Sequence, residues 1–97
     1  MFKNIQTIDN RIGARITELN PVYDSRKSFY GKAMVLEDGN TIALRSYDTI
    51  VAEIKDGKAE VYGTYSMTTM RHIKDFLYQN GFEVGTKKFI EKTYIKG

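Results

Sequence analysis

Few side chains in this chain could do chemistry, and each has a plainer use. His72 is the single histidine among 97 residues, and there is no cysteine. It sits in the run Arg71-His72-Ile73-Lys74-Asp75, which could pass for an acid–base cluster. Arg71 and Asp75 are four apart, and on a helix that spacing reads as a surface ion pair. His72 falls between Thr69 and Phe76 on the flank of an apolar stripe. A partly buried histidine there is expected to hydrogen-bond a neighbouring strand or turn. Ser66, Thr68 and Thr69 could supply a nucleophile, or free amides that hold a phosphate at a helix start. Capping accounts for their clustering, and Tyr62-Gly63-Thr64-Tyr65 before them is not a glycine-rich phosphate loop. One histidine, no cysteine and no helical pair of carboxylates predict neither a metal nor a cofactor. Asp38-Gly39-Asn40 lacks the ligand spacing of a calcium loop. The expectation is a protein that is not an enzyme.

Binding chemistry is better represented. Tyr30, Lys32, Arg45 and Tyr47 interleave aromatic and basic residues on adjacent predicted strands, as single-strand nucleic-acid platforms do. No RNP-type signature accompanies them. Lys87, Lys88 and Lys92, with Lys96, make a basic tail that would contact phosphate or an acidic protein, or simply be solvated. On the predicted helix, Arg71, Lys74 and Tyr78 are the residues that a docking partner would meet, since arginine and tyrosine are favoured interface anchors. The net charge of +3 is unevenly placed. Residues 1–32 carry six Lys/Arg against three Asp/Glu, residues 33–84 five against eight, and residues 85–97 four against one. The ends are basic and the middle mildly acidic.

The elements that must position these groups follow from periodicity and punctuation. Met70, Ile73, Phe76 and Leu77 recur at helical spacing from Ser66 to Phe82. Ser66 is a natural N-cap, Gly81 a left-handed terminator, and Phe82 the residue a Schellman cap folds back onto Leu77. Before the helix the period is two. Tyr30–Glu37, Thr41–Ser46, Thr49–Lys55 and Lys58–Tyr62 read as strands, with Ala33, Val35 and, as a secondary candidate, Leu36 buried in the first, joined by Asp38-Gly39-Asn40, Tyr47-Asp48 and Asp56-Gly57. In Thr49–Lys55, Ile50, Ala52 and Ile54 alternate against Thr49, Val51 and Glu53. Arg15–Leu19 is a short strand closed by Pro21, and Val22–Ser28 a polar loop. Phe2, Ile5 and Ile8 mark a short helical turn. Residues 86–95 fit either an amphipathic helix or a final strand, and β propensity favours the strand. The expected fold is α+β: an antiparallel meander of four to five strands packed by one central α-helix. It is a single domain over 1–97, with residues 29–82 as its core and 1–14 and 85–97 peripheral.

Three phrases stand in order along this core: SFYGKA at 28–33, SYDTIVAEI at 46–54 and YSMTTMRHIKDFLYQNG at 65–81. The pattern resembles a small domain family of uncharacterised proteins in bacteriophages and mobile elements of low-GC Gram-positive bacteria. It covers about Phe29 to Phe82, slightly over half the chain. Met67 replaces a small residue of the pattern and Asp75 a glutamate. The resemblance implies a phage-like origin and an intracellular life, but brings no activity and no site residues.

Composition narrows the rest. Hydrophobic content of 41% and charged content of 28% are ordinary for a soluble domain. No apolar run suggests a signal peptide or a membrane span. Without cysteine, the reducing cytoplasm of a host cell is the expected compartment. The expected function is non-enzymatic: a phage-type accessory protein that binds a host or phage macromolecule, for example an anti-CRISPR inhibitor of host defence. The expected partner is a protein or nucleoprotein. The alternative is a small basic nucleic-acid-binding module.

Overall fold

The computed structural model describes residues 15–95, so the helical turn expected at Phe2, Ile5 and Ile8 lies outside the described residues. Five strands follow the meander: β1 (Arg15–Glu18), β2 (Ala33–Asp38), β3 (Thr41–Ser46), β4 (Thr49–Lys55) and β5 (Lys58–Val61). They lie in sequence order in one sheet, each antiparallel to the next. Two helices follow, α1 (Met67–Gln79) and α2 (Lys87–Tyr94). The fold is α+β, with a second helix beside the one expected.

Strand β2 begins at Ala33, three residues later than its alternation suggests, because Tyr30-Gly31 forms a turn. Nor is the sheet one-sided. Ala33, Leu44, Ala52 and Val61 face the helices, while Leu36 and Ala43 are fully buried in a second cluster with Ile16, Met34 and Ile50. Val35, expected buried, is half-buried against the helix-side core. In β4 the register shifts: Leu44 pairs with Ala52 but Arg45 with Ile50. Val51 is the extra residue of a bulge, which turns Ile50 away from the face shared by Ala52 and Ile54. The simple alternation expected for this strand is broken there.

Helix α1 starts and stops as its sequence predicts. Ser66 Oγ accepts the Thr69 N–H at 3.2 Å. At the far end Gly81 (φ 85°) lets Phe82 N–H reach Leu77 O at 2.9 Å and Gly81 N–H reach Tyr78 O at 3.1 Å, the two bonds of a Schellman motif. Met70, Ile73, Phe76 and Leu77 are at most 1% exposed. Burying each such side chain contributes roughly 1.5–3 kcal/mol, a large share of the stability a small domain has.

The preference for a final strand is overturned. Thr86 caps α2 through its hydroxyl, which accepts Phe89 N–H at 3.1 Å. Ile90 is fully buried, and Tyr94 packs edge-on to Phe82 while its hydroxyl donates to Glu83 O at 2.7 Å. Among the described residues, a single isolated bridge, Val61 to Ile95, joins this segment to β5. Packing of one apolar helical face outweighs strand propensity, which is weak and contextual. No helix among the described residues is long and apolar enough to cross a membrane.

Candidate functional site

Two turns at one end of the sheet form one wall of a cleft. Lys32 N–H bonds Phe29 O at 2.9 Å, around Tyr30 (φ 55°) and Gly31 (φ 74°). Ser28 Oγ accepts the Tyr30 N–H at 2.8 Å, and Glu18 accepts that of Gly31 at 2.9 Å. Tyr47 (φ 56°) opens the two-residue turn between β3 and β4 and donates its N–H to Lys32 O at 2.7 Å. That bond sets the turns side by side. Left-handed backbone costs an ordinary residue ~1–2 kcal/mol, so glycine or asparagine usually takes such positions. Here tyrosines hold two of them and remain 75% and 49% exposed.

The other wall is α1 with the loop that crosses it. Asp75 is fully buried under that loop. Its Oδ1 accepts from Val22 N–H at 2.7 Å, Tyr23 N–H at 2.8 Å and Gln79 Nε2 at 2.9 Å, and its Oδ2 from Asp24 N–H at 2.9 Å. Burial alone would raise this carboxyl's pKa, but the donated bonds, Tyr23 and Val22 foremost, hold it below its usual value. The expected Arg71–Asp75 ion pair is therefore not formed, because Asp75 is taken up by backbone amides. Arg71 Nη1 instead reaches both oxygens of Asp24, at 3.1 and 3.2 Å. The pinned loop goes on to carry Arg26 into the cleft wall.

Between these walls lies a cleft of ≈ 290 Å³. Arg26, Lys32 and Arg71 line it, with the hydroxyls of Ser28 and Thr68, and no carboxylate does. Among the described residues neither Arg26 nor Lys32 has an ion-pair partner. Lys32 Nζ stands 5.8 Å from the centroid of the Tyr47 ring, within cation–π range.

His72 lies at the base of the cleft, 1% exposed. Phe29 meets its ring edge-on with centroids 4.6 Å apart, and Tyr47 lies at 5.9 Å. Its Nδ1 is 2.8 Å from Ser46 Oγ, which also bonds Thr69 Oγ1 at 3.0 Å. A hydroxyl at this distance from an imidazole has the spacing of a nucleophile and its base. Ser46 is only 2% exposed, however, and such a hydroxyl must be open to its substrate. The trio is a polar bridge from β3 to α1, the structural role expected of His72. Burial first, then the Arg26 charge, lower its pKa, while Asp24 and Asp75 act in the opposite sense. Among the described residues no three His, Asp or Glu side chains gather as metal ligands.

The candidate contact residues fall into two groups. Arg71, Lys74 and Tyr78 share the outer stripe of α1, and Tyr78 packs against Tyr23 of the pinned loop with centroids 5.3 Å apart. Lys87, Lys88 and Lys92 lie on α2, over β5 rather than β3, and Lys87 is 4.0 Å from Glu91. Of the aromatic–basic strand set, Tyr30, Lys32 and Tyr47 reach the cleft. Arg45 does not: it pairs with Met34 and Ile50, on the other face of the sheet. Arg26, Tyr23 and the anchoring role of Asp75 were not legible in the sequence. The Tyr30-Gly31 turn carried a signal in its glycine, which the apolar alternation around it obscured.

No curated protein and no solved structure matches the chain. A family model matches residues 17–92, from within β1 to within α2 and including every residue that lines the cleft, and the chain belongs to that family, described as "Family of unknown function (DUF8033)".

Proposed function

We propose that this protein is a non-enzymatic accessory protein of phage type that docks on a host or phage macromolecule in the host cytoplasm, as an anti-CRISPR-like inhibitor of host defence would. The observation that carries the reading is one band of surface along α1. There Tyr23, Tyr78, Lys74 and Arg71 adjoin the cleft with its Arg26, Tyr30 and Tyr47, and the loop that carries Tyr23 and Arg26 is held in place by a buried carboxylate. Tyrosine and arginine are favoured docking anchors, and a rigid frame under them reduces the backbone ordering that binding would otherwise cost. The phage context is supported by the three sequence phrases, and inhibition by occupying a partner's surface needs no catalytic group.

The test is capture of a partner from host lysate by wild type and by a Tyr23→Ala/Tyr78→Ala variant of unchanged melting temperature. A partner retained after nuclease treatment by wild type and lost by the variant supports docking, and its identity decides whether defence is the target. Equal capture by both proteins overturns it.

The alternative, a small basic nucleic-acid-binding module, is favoured by Arg26 and Lys32, which line the cleft without an ion-pair partner among the described residues. It requires log affinity to fall steeply with log salt, by ~0.7 per neutralised phosphate on single strands. Replacing Lys87, Lys88 and Lys92 by glutamine should then flatten the slope if α2 takes part.

A further inference from the structure

The cleft has features that docking alone does not demand. Three cations line it without a carboxylate among them, and two hydroxyls accompany them. Such a set suits an anion with several oxygens, since arginine offers a fork of donors and lysine a point charge. Arg71 commits Nη1 to Asp24, which leaves the rest of its guanidinium free and its position fixed. At ≈ 290 Å³ the cleft lies at the small end of ligand sites, room for one compact ligand rather than a length of chain.

The tyrosines supply the second half of the argument. Tyr30 is 75% exposed, so its ring adds almost nothing to the core. It nevertheless occupies left-handed backbone that glycine or asparagine would adopt at less cost. Strain kept where it does not serve packing points to use by a ligand. Tyr47 repeats the pattern on the adjoining turn, with its ring next to the Lys32 ammonium. Flat rings beside a cluster of cations match a ligand that has both a planar base and a phosphate.

We propose that this cleft binds a nucleoside monophosphate unit, its phosphate held among Arg26, Lys32 and Arg71 and its base laid on the tyrosine rings at the rim. The unit is either a free mononucleotide or the phosphorylated end of a single strand. The inference stands on the cleft and does not depend on the docking surface formed by Tyr23 and Tyr78.

His72, the single histidine, gives a built-in reporter. The experiment is an NMR titration of the full chain with AMP, UMP, adenosine and inorganic phosphate, following the His72 ring and the amides of Tyr30, Gly31 and Thr68. Either nucleotide should saturate, at least ~10-fold more tightly than adenosine or phosphate, because it uses both the charge and the stacking contacts. The bound phosphate should also raise the His72 pKa. Arg26→Gln or Lys32→Gln should weaken nucleotide binding at least ~10-fold at unchanged melting temperature. Tyr30→Gly should weaken it several-fold without loss of stability.

A second arm compares short single strands ending in phosphate or hydroxyl. Tighter binding of the phosphorylated strand than of the free nucleotide assigns the site to a strand end. Equal or weaker binding assigns it to the free nucleotide. The proposal is overturned if no saturable shift arises by about 10 mM nucleotide. It is equally overturned if phosphate alone binds as well, or if the Arg26 and Lys32 variants bind normally. None of these results bears on capture through Tyr23 and Tyr78, so the two readings fail separately.

Discussion

The two ends of the sheet use the same device, a tight turn in left-handed backbone, and fill it differently. At one end the turns after β2 and β4 contain Gly39 (φ 63°), and Asp56 (φ 52°) with Gly57 (φ 76°). These are the residues that adopt such backbone most readily, and none of them lines the cleft. At the other end Tyr30 and Tyr47 stand in equivalent conformations. That is the end where α1 begins, where Asp75 pins the crossing loop, and where the cations converge. One end simply reverses the chain. The other reverses it and accepts backbone strain to present rings beside a cleft.

The comparison can be broken or sharpened at several points. Both ends depend on the core beneath α1, so Phe76→Ala should have the largest effect, about 3–5 kcal/mol of stability lost in a denaturant titration. Lys74→Ala, on the outer stripe, should change stability by less than ~0.5 kcal/mol. Comparable losses would mean that α1 buries a different face.

Asp75→Asn should affect the cleft end selectively. An amide cannot accept from all four donors, and the stranded N–H groups should cost ~2–4 kcal/mol. Hydrogen exchange should then accelerate first at Val22, Tyr23 and Asp24, well before the amides of the Asp56-Gly57 turn. Uniform acceleration at both ends would remove the distinction between them.

The same end should govern the response to pH. His72 has a lowered pKa in the folded protein, so the unfolded chain binds the extra proton first. Stability should therefore start to fall as pH drops through ~6.5, and level off below the folded-state value. Asp75, also lowered, stabilises above the ordinary carboxylate value of 3.8, and that contribution is lost as pH falls through its folded value. Melting curves of His72→Gln should lack the upper step and keep the lower one.

Exchange of turn residues gives the smallest effects and the most direct contrast. Tyr30→Gly should stabilise by about 0.5–1 kcal/mol, whereas Asp56→Tyr should destabilise by a similar amount. A destabilised Tyr30→Gly would show that the ring supports the fold and would undercut its reading as a binding surface.

Local patterns in the sequence determined what depends on near neighbours. Ser66, Gly81 and Phe82 mark the limits of α1, because capping bonds span only three to five residues. The Asp38-Gly39-Asn40 and Asp56-Gly57 turns, and the registers of the strands they join, follow from turn chemistry within four residues. Only the tertiary structure decided what rests on distant partners. Asp75 meets amides more than fifty residues earlier in the chain, which is why a neighbouring arginine was the only partner in view from sequence. The bulge at Val51 is a misalignment between two strands and leaves no trace in either one alone. Residues 86–95 satisfy both periods, and the choice fell to the core that Ile90 enters. The cleft is the extreme case: the β1–β2 connection brings Arg26 and Tyr30, the β3–β4 turn Tyr47 and the helix Arg71. Although the strand pattern set Tyr30 beside Tyr47, Arg26 and Arg71 join them only once α1 has packed on the sheet.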